Sequence, residues 1–219
     1  MDEPLKDLAS HIEASLENEV RSTAIANGEL TIQVRDEYIV KVLTFLREDR
    51  ECMFKCMMDL CGVDYPGRAK RFDVVYHLLS LTHNQRLRVK LQANEETPVP
   101  SVISVYRAAN WFEREAWDMY GIMFSDHPDL RRILTDYGFE GHPLRKDFPL
   151  TGFIELRYSE TEKRCVYEPV KLTQDFRDFD FMSPWEGAKY ILDDDAVVEG
   201  DAPGPGSGKG SGSGKGGAG

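Results

Sequence analysis

Two adjacent segments near the middle of the chain fix most of what it can fold into. Residues 72–81 (FDVVYHLLSL) are apolar almost without a break and rich in β-formers, as a strand covered on both faces would be. Residues 86–93 then alternate. Leu87, Val89 and Leu91 point one way, and Arg86, Arg88 and Lys90 the other, which is the period-two pattern of a half-buried strand. Thr82-His83-Asn84-Gln85 turns the chain between them. A central strand pair is expected, and the rest has to be laid around it. The basic stripe reads first as a solvated face and second as a surface for an acidic partner.

The N-terminal part supplies the surroundings. Leu5, Leu8, Ile12 and Leu16 recur every three to four residues behind Pro4, so residues 4–18 read as an amphipathic helix. Leu30, Ile32 and Val34 alternate with Thr31 and Gln33, and Asn27-Gly28 just before them is a two-residue hairpin turn. Residues 20–26 are then the partner strand. Asp36 is placed to cap a helix whose apolar face is Ile39, Val42, Leu43 and Leu46. Residues 53–63 are apolar without a clear period and fit either a helix end or a strand. The expected fold class is α+β: a mixed sheet of four or five strands covered by two or three helices, in a compact domain over residues 1–120.

After residue 120 the character changes. Pro, Gly and single aromatics are scattered, with room for short strands at 156–158 and 164–166 and an acid/aromatic alternation at 175–181. Some seventy residues with so little regular structure are uncommon in a self-contained domain, and the aromatic content is too high for simple disorder. Residues 121–190 are therefore expected to be an irregular extension that packs on another polypeptide. Residues 191–219, acidic and then Gly/Ser/Lys-rich, are expected to be a flexible tail.

Charge and cysteine use bound the function. The net charge of -11 argues against a nucleic-acid surface. No window has the run of apolar residues that a membrane span needs. Met1-Asp2-Glu3-Pro4 lacks an apolar or Arg-rich leader. Synthesis in a prokaryotic cytoplasm is expected, with a mature organellar protein as the alternative. Cys52, Cys56, Cys61 and Cys165 lack Cys-x2-Cys hooks. They read as thiols of a reducing compartment, and a metal site that also draws on the two His-Pro histidines is the competing reading. No Gly-x-Gly-x-x-Gly follows a strand pattern, and no phosphate loop, Gly-x-Ser-x-Gly elbow or His-Glu-x-x-His pair is present.

Residues 110–150 concentrate the remaining chemistry. Asn110 stands as an N-cap with Glu113 at the third helical position, and Gly121 ends the helix. Arg114 and Asp118, four apart, can pair on its surface. Glu113, Glu115 and Asp118 on one short helix allow acid/base work. The neighbouring cations should lower their pKa values, however, which favours ion pairing across an interface first, an exposed or internally paired face second, and catalysis last. His127 and His142 each precede a proline and suit turns with the imidazole bonded to backbone better than metal ligation. Arg131, Arg132, Arg145 and Lys146 suit carboxylate partners.

The run Glu113-Arg114-Glu115-Ala116-Trp117-Asp118-Met119-Tyr120, followed by His127 and Arg131-Arg132-Ile133-Leu134, closely resembles the defining motif of the 30 kDa subunit family of respiratory complex I, NADH:quinone oxidoreductase. Gly141-His142-Pro143-Leu144-Arg145-Lys146-Asp147-Phe148-Pro149, Tyr167-Glu168-Pro169-Val170 and Ser183-Pro184-Trp185-Glu186 continue the likeness. It spans roughly residues 20–187. The Cys52/Cys56/Cys61 trio and the Gly-rich tail depart from it.

The resemblance implies a peripheral-arm assembly subunit that binds no cofactor itself, in a complex that uses FMN, iron–sulfur clusters and quinone. It implies packing against the 49 kDa-type quinone-site subunit and the terminal-cluster subunit. The setting would be the cytoplasmic face of the bacterial inner membrane, or the matrix side of the inner membrane in an organelle. Glu113, Arg114, Glu115, Asp118, His127, Arg131, Arg132, His142, Arg145, Lys146, Asp147, Glu168 and Trp185 would be motif residues at subunit interfaces. The equivalent subunit of a membrane-bound hydrogenase-type complex is the nearest alternative.

Overall fold

The computed structural model describes residues 3–174. Trp185, the 175–181 alternation, the 183–186 motif and the tail lie outside the described residues. Helix α1 (Glu3–Ser15) is followed by strands β1 (Val20–Ala26) and β2 (Glu29–Val34), helix α2 (Ile39–Glu48), and strands β3 (Cys56–Asp64), β4 (Phe72–Ser80) and β5 (Gln85–Ala93). The five strands form one sheet in the order β1-β2-β5-β4-β3. All neighbours are antiparallel except β2 and β5, whose register runs parallel from Leu30↔Leu87 to Gln33↔Lys90. The α+β class with a mixed sheet and three helices is as the sequence indicates.

The hairpin between β1 and β2 turns on Asn27 and Gly28, with φ of 53° and 75°, as a tight two-residue connection demands. Leu30 and Ile32 on β2, Val89 and Leu91 on β5, and Val74 and Tyr76 on β4 face one core. Ile12 of α1 and Ile39, Val42, Leu43 and Leu46 of α2 cover it, each fully buried. Each such side chain contributes about 1.5–3 kcal/mol of transfer free energy. The ambiguous segment 53–63 resolves into β3. A register shift between Met57 and Asp59 marks a bulge there.

The expected cap at Asp36 is not used. Residues Asp36–Tyr38 form a 3-10 turn ahead of α2, and the Asp36 carboxylate pairs with Lys70 at 2.9 Å instead. Here an ion pair with a sequence-distant lysine outcompetes the local cap.

Beyond the sheet, β6 (Val99–Pro100) pairs in parallel with β7 (Phe124–Ser125). This two-residue ladder brackets helix α3 (Ala109–Tyr120) and holds its two flanks together. A second hairpin, β8 (Ile154–Ser159) with β9 (Arg164–Pro169), forms in the extension. Residues 126–153 contain no helix or strand. No helix among the described residues is long and apolar enough to cross a membrane.

Candidate functional site: a charged helix and the loop it organises

Helix α3 carries the motif. It begins one residue before Asn110, with Ala108 already in the right-handed helical region and no capping bond from a side group. The reason lies upstream: turns at Tyr106 N–H→Val102 C=O (2.8 Å) and Ala109 N–H→Tyr106 C=O (3.0 Å) lead into the helix and leave Asn110 inside it. The capping-box reading of Asn110 and Glu113 is thereby corrected. Gly121 does end the helix, at φ 78°, with its N–H on the Trp117 carbonyl at 2.8 Å. A side chain there would also collide with the His142 ring, whose Nε2 lies 2.7 Å from where the Cβ would sit.

Glu113, Arg114 and Asp118 are buried together with Ala109, Ala116 and Met119. Buried charges need partners, and each of these has them within the same polypeptide. Glu113 accepts from the Ser101 hydroxyl and the Val102 N–H, both at 2.7 Å. His127 Nε2 stands 3.9 Å from the same carboxylate, with neither side chain exposed. Burial raises the Glu113 carboxyl to about 7, despite the opposing bonds from Ser101 and Val102. The expectation that neighbouring cations lower it is corrected, because desolvation dominates at this position.

Asp118 is the hub of the loop. It accepts from Arg132 (2.7 Å), the Thr135 hydroxyl (2.6 Å), and the N–H groups of Ile133, Leu134 and Thr135 (3.0, 2.8 and 3.0 Å). Burial alone would raise this carboxyl; the Thr135 hydroxyl and the three N–H bonds outweigh it and hold Asp118 well below the usual carboxylate range. The surface pair expected between Arg114 and Asp118 does not form. Arg114 instead donates to the carbonyls of Arg131 (3.2 Å) and Arg132 (3.1 Å). The helix thus clamps residues 131–135 by both charge signs.

Further along, Arg132 reaches the Gly141 carbonyl at 3.1 Å and lies over the rings of Trp117 and Phe139. His142 Nδ1 bonds the Asp118 carbonyl at 2.9 Å, and Arg145 donates to the Tyr120 carbonyl at 2.6 Å. His127 likewise bonds backbone, at the Asn110 carbonyl and the Asp129 N–H. A second hub went unseen in the sequence. Arg71 grips Asp64 (2.6 and 2.9 Å) and Asp147 (2.9 and 3.2 Å), and the Lys146 N–H donates to Asp64 at 2.7 Å. Asp64, Arg71, Ser101 and Thr135 carry no spacing signal, because their partners come from distant parts of the sequence.

Of the other motif residues among those described, Glu115 and Arg131 are exposed and Glu168 is half-buried. Arg131 pairs only with Asp129, and Glu168 with Arg157 across the β8–β9 hairpin. Glu115 makes no ion pair among the described residues. Around them lie large exposed apolar side chains, including Trp111, Tyr137, Leu150, Phe153, Ile154 and Tyr167. A groove of about 590 Å³ runs between residues 136–140, Phe148, Phe153 and the β8–β9 hairpin.

The arrangement can hold a loop in place. Glu113, the carboxyl that burial raises to about 7, has no exposed surface. Among the described residues, Cys52, Cys56 and Cys61 do not converge with His127 or His142. Cys52 sits with His11 and Asp49, and Cys61 with Asp59 and His77.

Residues 32–154 match the family described as respiratory-chain NADH dehydrogenase, 30 kDa subunit. The C subunit of the NADH-quinone oxidoreductase of Xanthobacter autotrophicus is 62% identical over 203 residues, 93% of this chain and 97% of that one. Its counterpart of the same designation in Maricaulis maris is 64% identical over 200 residues, 91% of this chain and 100% of its own. A polypeptide from the structure of the membrane-bound sulfane sulfur reductase, an archaeal respiratory membrane complex, shares the fold at TM-score 0.59 and 23% identity, over 68% of this chain and 87% of that one. With the motif, the fold and these likenesses in agreement, the chain belongs to the 30 kDa subunit family of the respiratory-chain NADH dehydrogenase.

Proposed function

We propose that this chain is a structural and assembly subunit of a proton-translocating NADH:quinone oxidoreductase, on the cytoplasmic face of the bacterial inner membrane. It packs on the 49 kDa-type quinone-site subunit and beside the subunit with the terminal cluster. The complex as a whole uses FMN, iron–sulfur clusters and quinone, and the part played by this polypeptide is to give it shape. The high identity to the matching subunits of NADH-quinone oxidoreductases favours this setting over a hydrogenase-type complex.

One observation carries the reading. The buried motif charges are consumed inside the protein, Glu113 on residues 101–102 and Arg114 and Asp118 on residues 131–135, and the extension that follows leaves apolar surface uncovered. Phe153 and Ile154 are 65% and 61% exposed, and Leu150 is 84% exposed. Apolar patches of this kind mark interaction sites. Glu113, Arg114, Asp118, Arg132, His142 and Arg145 serve the interface by shaping it. Glu115, Arg131 and Glu168 serve it by direct contact. Residues 121–190 form the partner-binding extension.

The test is to place Phe153→Ser with Ile154→Ser, and separately Glu115→Ala, in the full complex. Blue-native gels give the amount assembled, and turnover is measured per assembled complex. Less assembled complex with unchanged turnover per complex is expected. Normal assembly with lost turnover would overturn the proposal.

A further inference from the structure

A second cluster lies on the polar face of the sheet, on strands β3 and β4. Strand side chains alternate, so in a regular β3 a residue two positions after buried Met57 would also face the core. The bulge at Met58 breaks that rule. Met57 is buried, Met58 and Asp59 both turn outward, and Leu60 is buried again. Asp59 and Cys61 then share the outer face, and Asp59 lies opposite His77 on β4. Bulges often serve to re-aim a side chain in this way.

The result is a convergent donor set. One ligand atom each of Asp59, Cys61 and His77 lies within 4.8 Å of the others, and all three residues are half-buried. None of the three side chains makes a hydrogen bond or ion pair among the described residues. The other trio differs on this point. Asp49 there already accepts from His11 (3.0 Å) and the Glu51 N–H (2.9 Å), and the Cys52 thiol is fully buried and pushed up to about 12, first by that burial. That trio is a hydrogen-bonded clasp between α1 and the end of α2. The Asp59/Cys61/His77 trio has no such employment.

We infer that Asp59, Cys61 and His77 form a binding site for a zinc-class divalent cation, with water in the fourth position. The donor set is one sulfur, one nitrogen and one oxygen, the mix that borderline cations take. A thiolate, a carboxylate and a neutral imidazole together balance a 2+ charge. Tetrahedral bonds of zinc lengths would place the donor atoms roughly 3.3–3.6 Å apart, so side-chain rotation suffices to close the site.

The surroundings admit a cation. A solvent-open groove of about 310 Å³ reaches Asp59 and His77, with Met58, Glu29, Arg86 and Arg88 also in its wall. Arg88, opposite His77 on β5, is held by an ion pair with Glu29. Without a metal the Cys61 thiol is raised by burial and by Asp59, with Glu115 adding to it and Arg88 and Lys90 opposing. A bound cation reverses that balance by taking the thiolate as a ligand. Since β3 is an edge strand, the ion would clip the sheet's edge to β4.

The test uses the full-length protein, stripped with chelator and titrated with Co²⁺ as a spectroscopic stand-in for zinc. Expected is a one-equivalent thiolate-to-cobalt band with tetrahedral d–d absorption, displaced by Zn²⁺, and a higher Tm with Zn²⁺. Cys61→Ser should abolish the thiolate band, and His77→Ala or Asp59→Asn should weaken binding at least about tenfold. Cys56→Ser and Cys165→Ser should leave it unchanged, and circular dichroism reports folding of every variant. Absence of the band in the unaltered protein overturns the proposal, as does its survival in folded Cys61→Ser or its loss in Cys56→Ser or Cys165→Ser. The readout is independent of assembly, so its failure leaves the subunit reading standing.

Discussion

Asp118 and Arg132 stand 14 residues apart in the sequence and 2.7 Å apart in space, with none of the Asp118 side chain exposed. Removing one member of such a pair strands the other and the three N–H groups that share it. Asp118→Ala should therefore destabilise the full-length protein by about 3–5 kcal/mol. Urea unfolding of the isolated protein measures this directly. A loss below ~1 kcal/mol would mean the loop is held by something else.

The same carboxyl makes the fold acid-sensitive. Its folded pKa lies below the unfolded value of 3.8, so its stabilisation is complete above that value and is lost as pH falls further. The wild-type Tm should fall more steeply than that of Asp118→Asn as pH drops below about 4.

Glu113 should act with the opposite sign. Its folded pKa of about 7 exceeds the unfolded 4.5, so the folded protein holds a proton that the unfolded one releases. Stability from this group is full below pH 4.5 and declines as pH rises toward 7. Glu113→Gln keeps an acceptor for Val102 and removes the titration. The variant should lose that decline and match or exceed wild-type stability at pH 8 (by about 3 kcal/mol at most). Thermal melts at a series of pH values decide it, and parallel wild-type and variant profiles would count against a raised pKa.

Gly121 should tolerate nothing larger. Alanine there costs about 1 kcal/mol for the left-handed backbone alone, and its Cβ meets His142 and Arg145 as well. Gly121→Ala should speed amide hydrogen exchange across residues 142–148 while leaving β4 and β5 protected. Uniform exchange changes across the sheet would contradict a local role.

Arg71→Gln should unfasten the other end of the loop, because it leaves Asp64, whose side chain has no exposed surface, without its guanidinium partner. We expect a loss of about 3 kcal/mol or more. The double variant with Asp64→Asn should cost less than the sum of the single changes, as coupled partners do. Additive costs would show that the two residues act independently.

What could be read from the residues alone was whatever depends on near neighbours. The Asn27-Gly28 hairpin, the β4–β5 pair and the Gly121 stop are written in turn chemistry and two-residue alternation. Asp36 and Asn110 show the limit. Both satisfy a local capping rule, yet Lys70 takes the first and an upstream turn absorbs the second. The charges of α3 were legible as a site, but their partners were not. Ser101, Thr135, Asp64 and Arg71 become neighbours only through the path of the backbone. Spacing on a helix placed Arg114 beside Asp118, whereas burial gave each a loop to hold.

The parallel seam between β2 and β5 carries a consequence for synthesis. The β1–β2 hairpin is complete by Val34, but β5 begins only at Gln85. Until then β2 offers one bare edge, together with the apolar side chains of Leu30 and Ile32. A nascent polypeptide stalled before Gln85 is thus an adhesive half-sheet, the sort of intermediate that chaperones hold and proteases clear. Once β5 emerges, the same edge becomes the middle of the fold, so translation past that point separates a disposable fragment from a subunit.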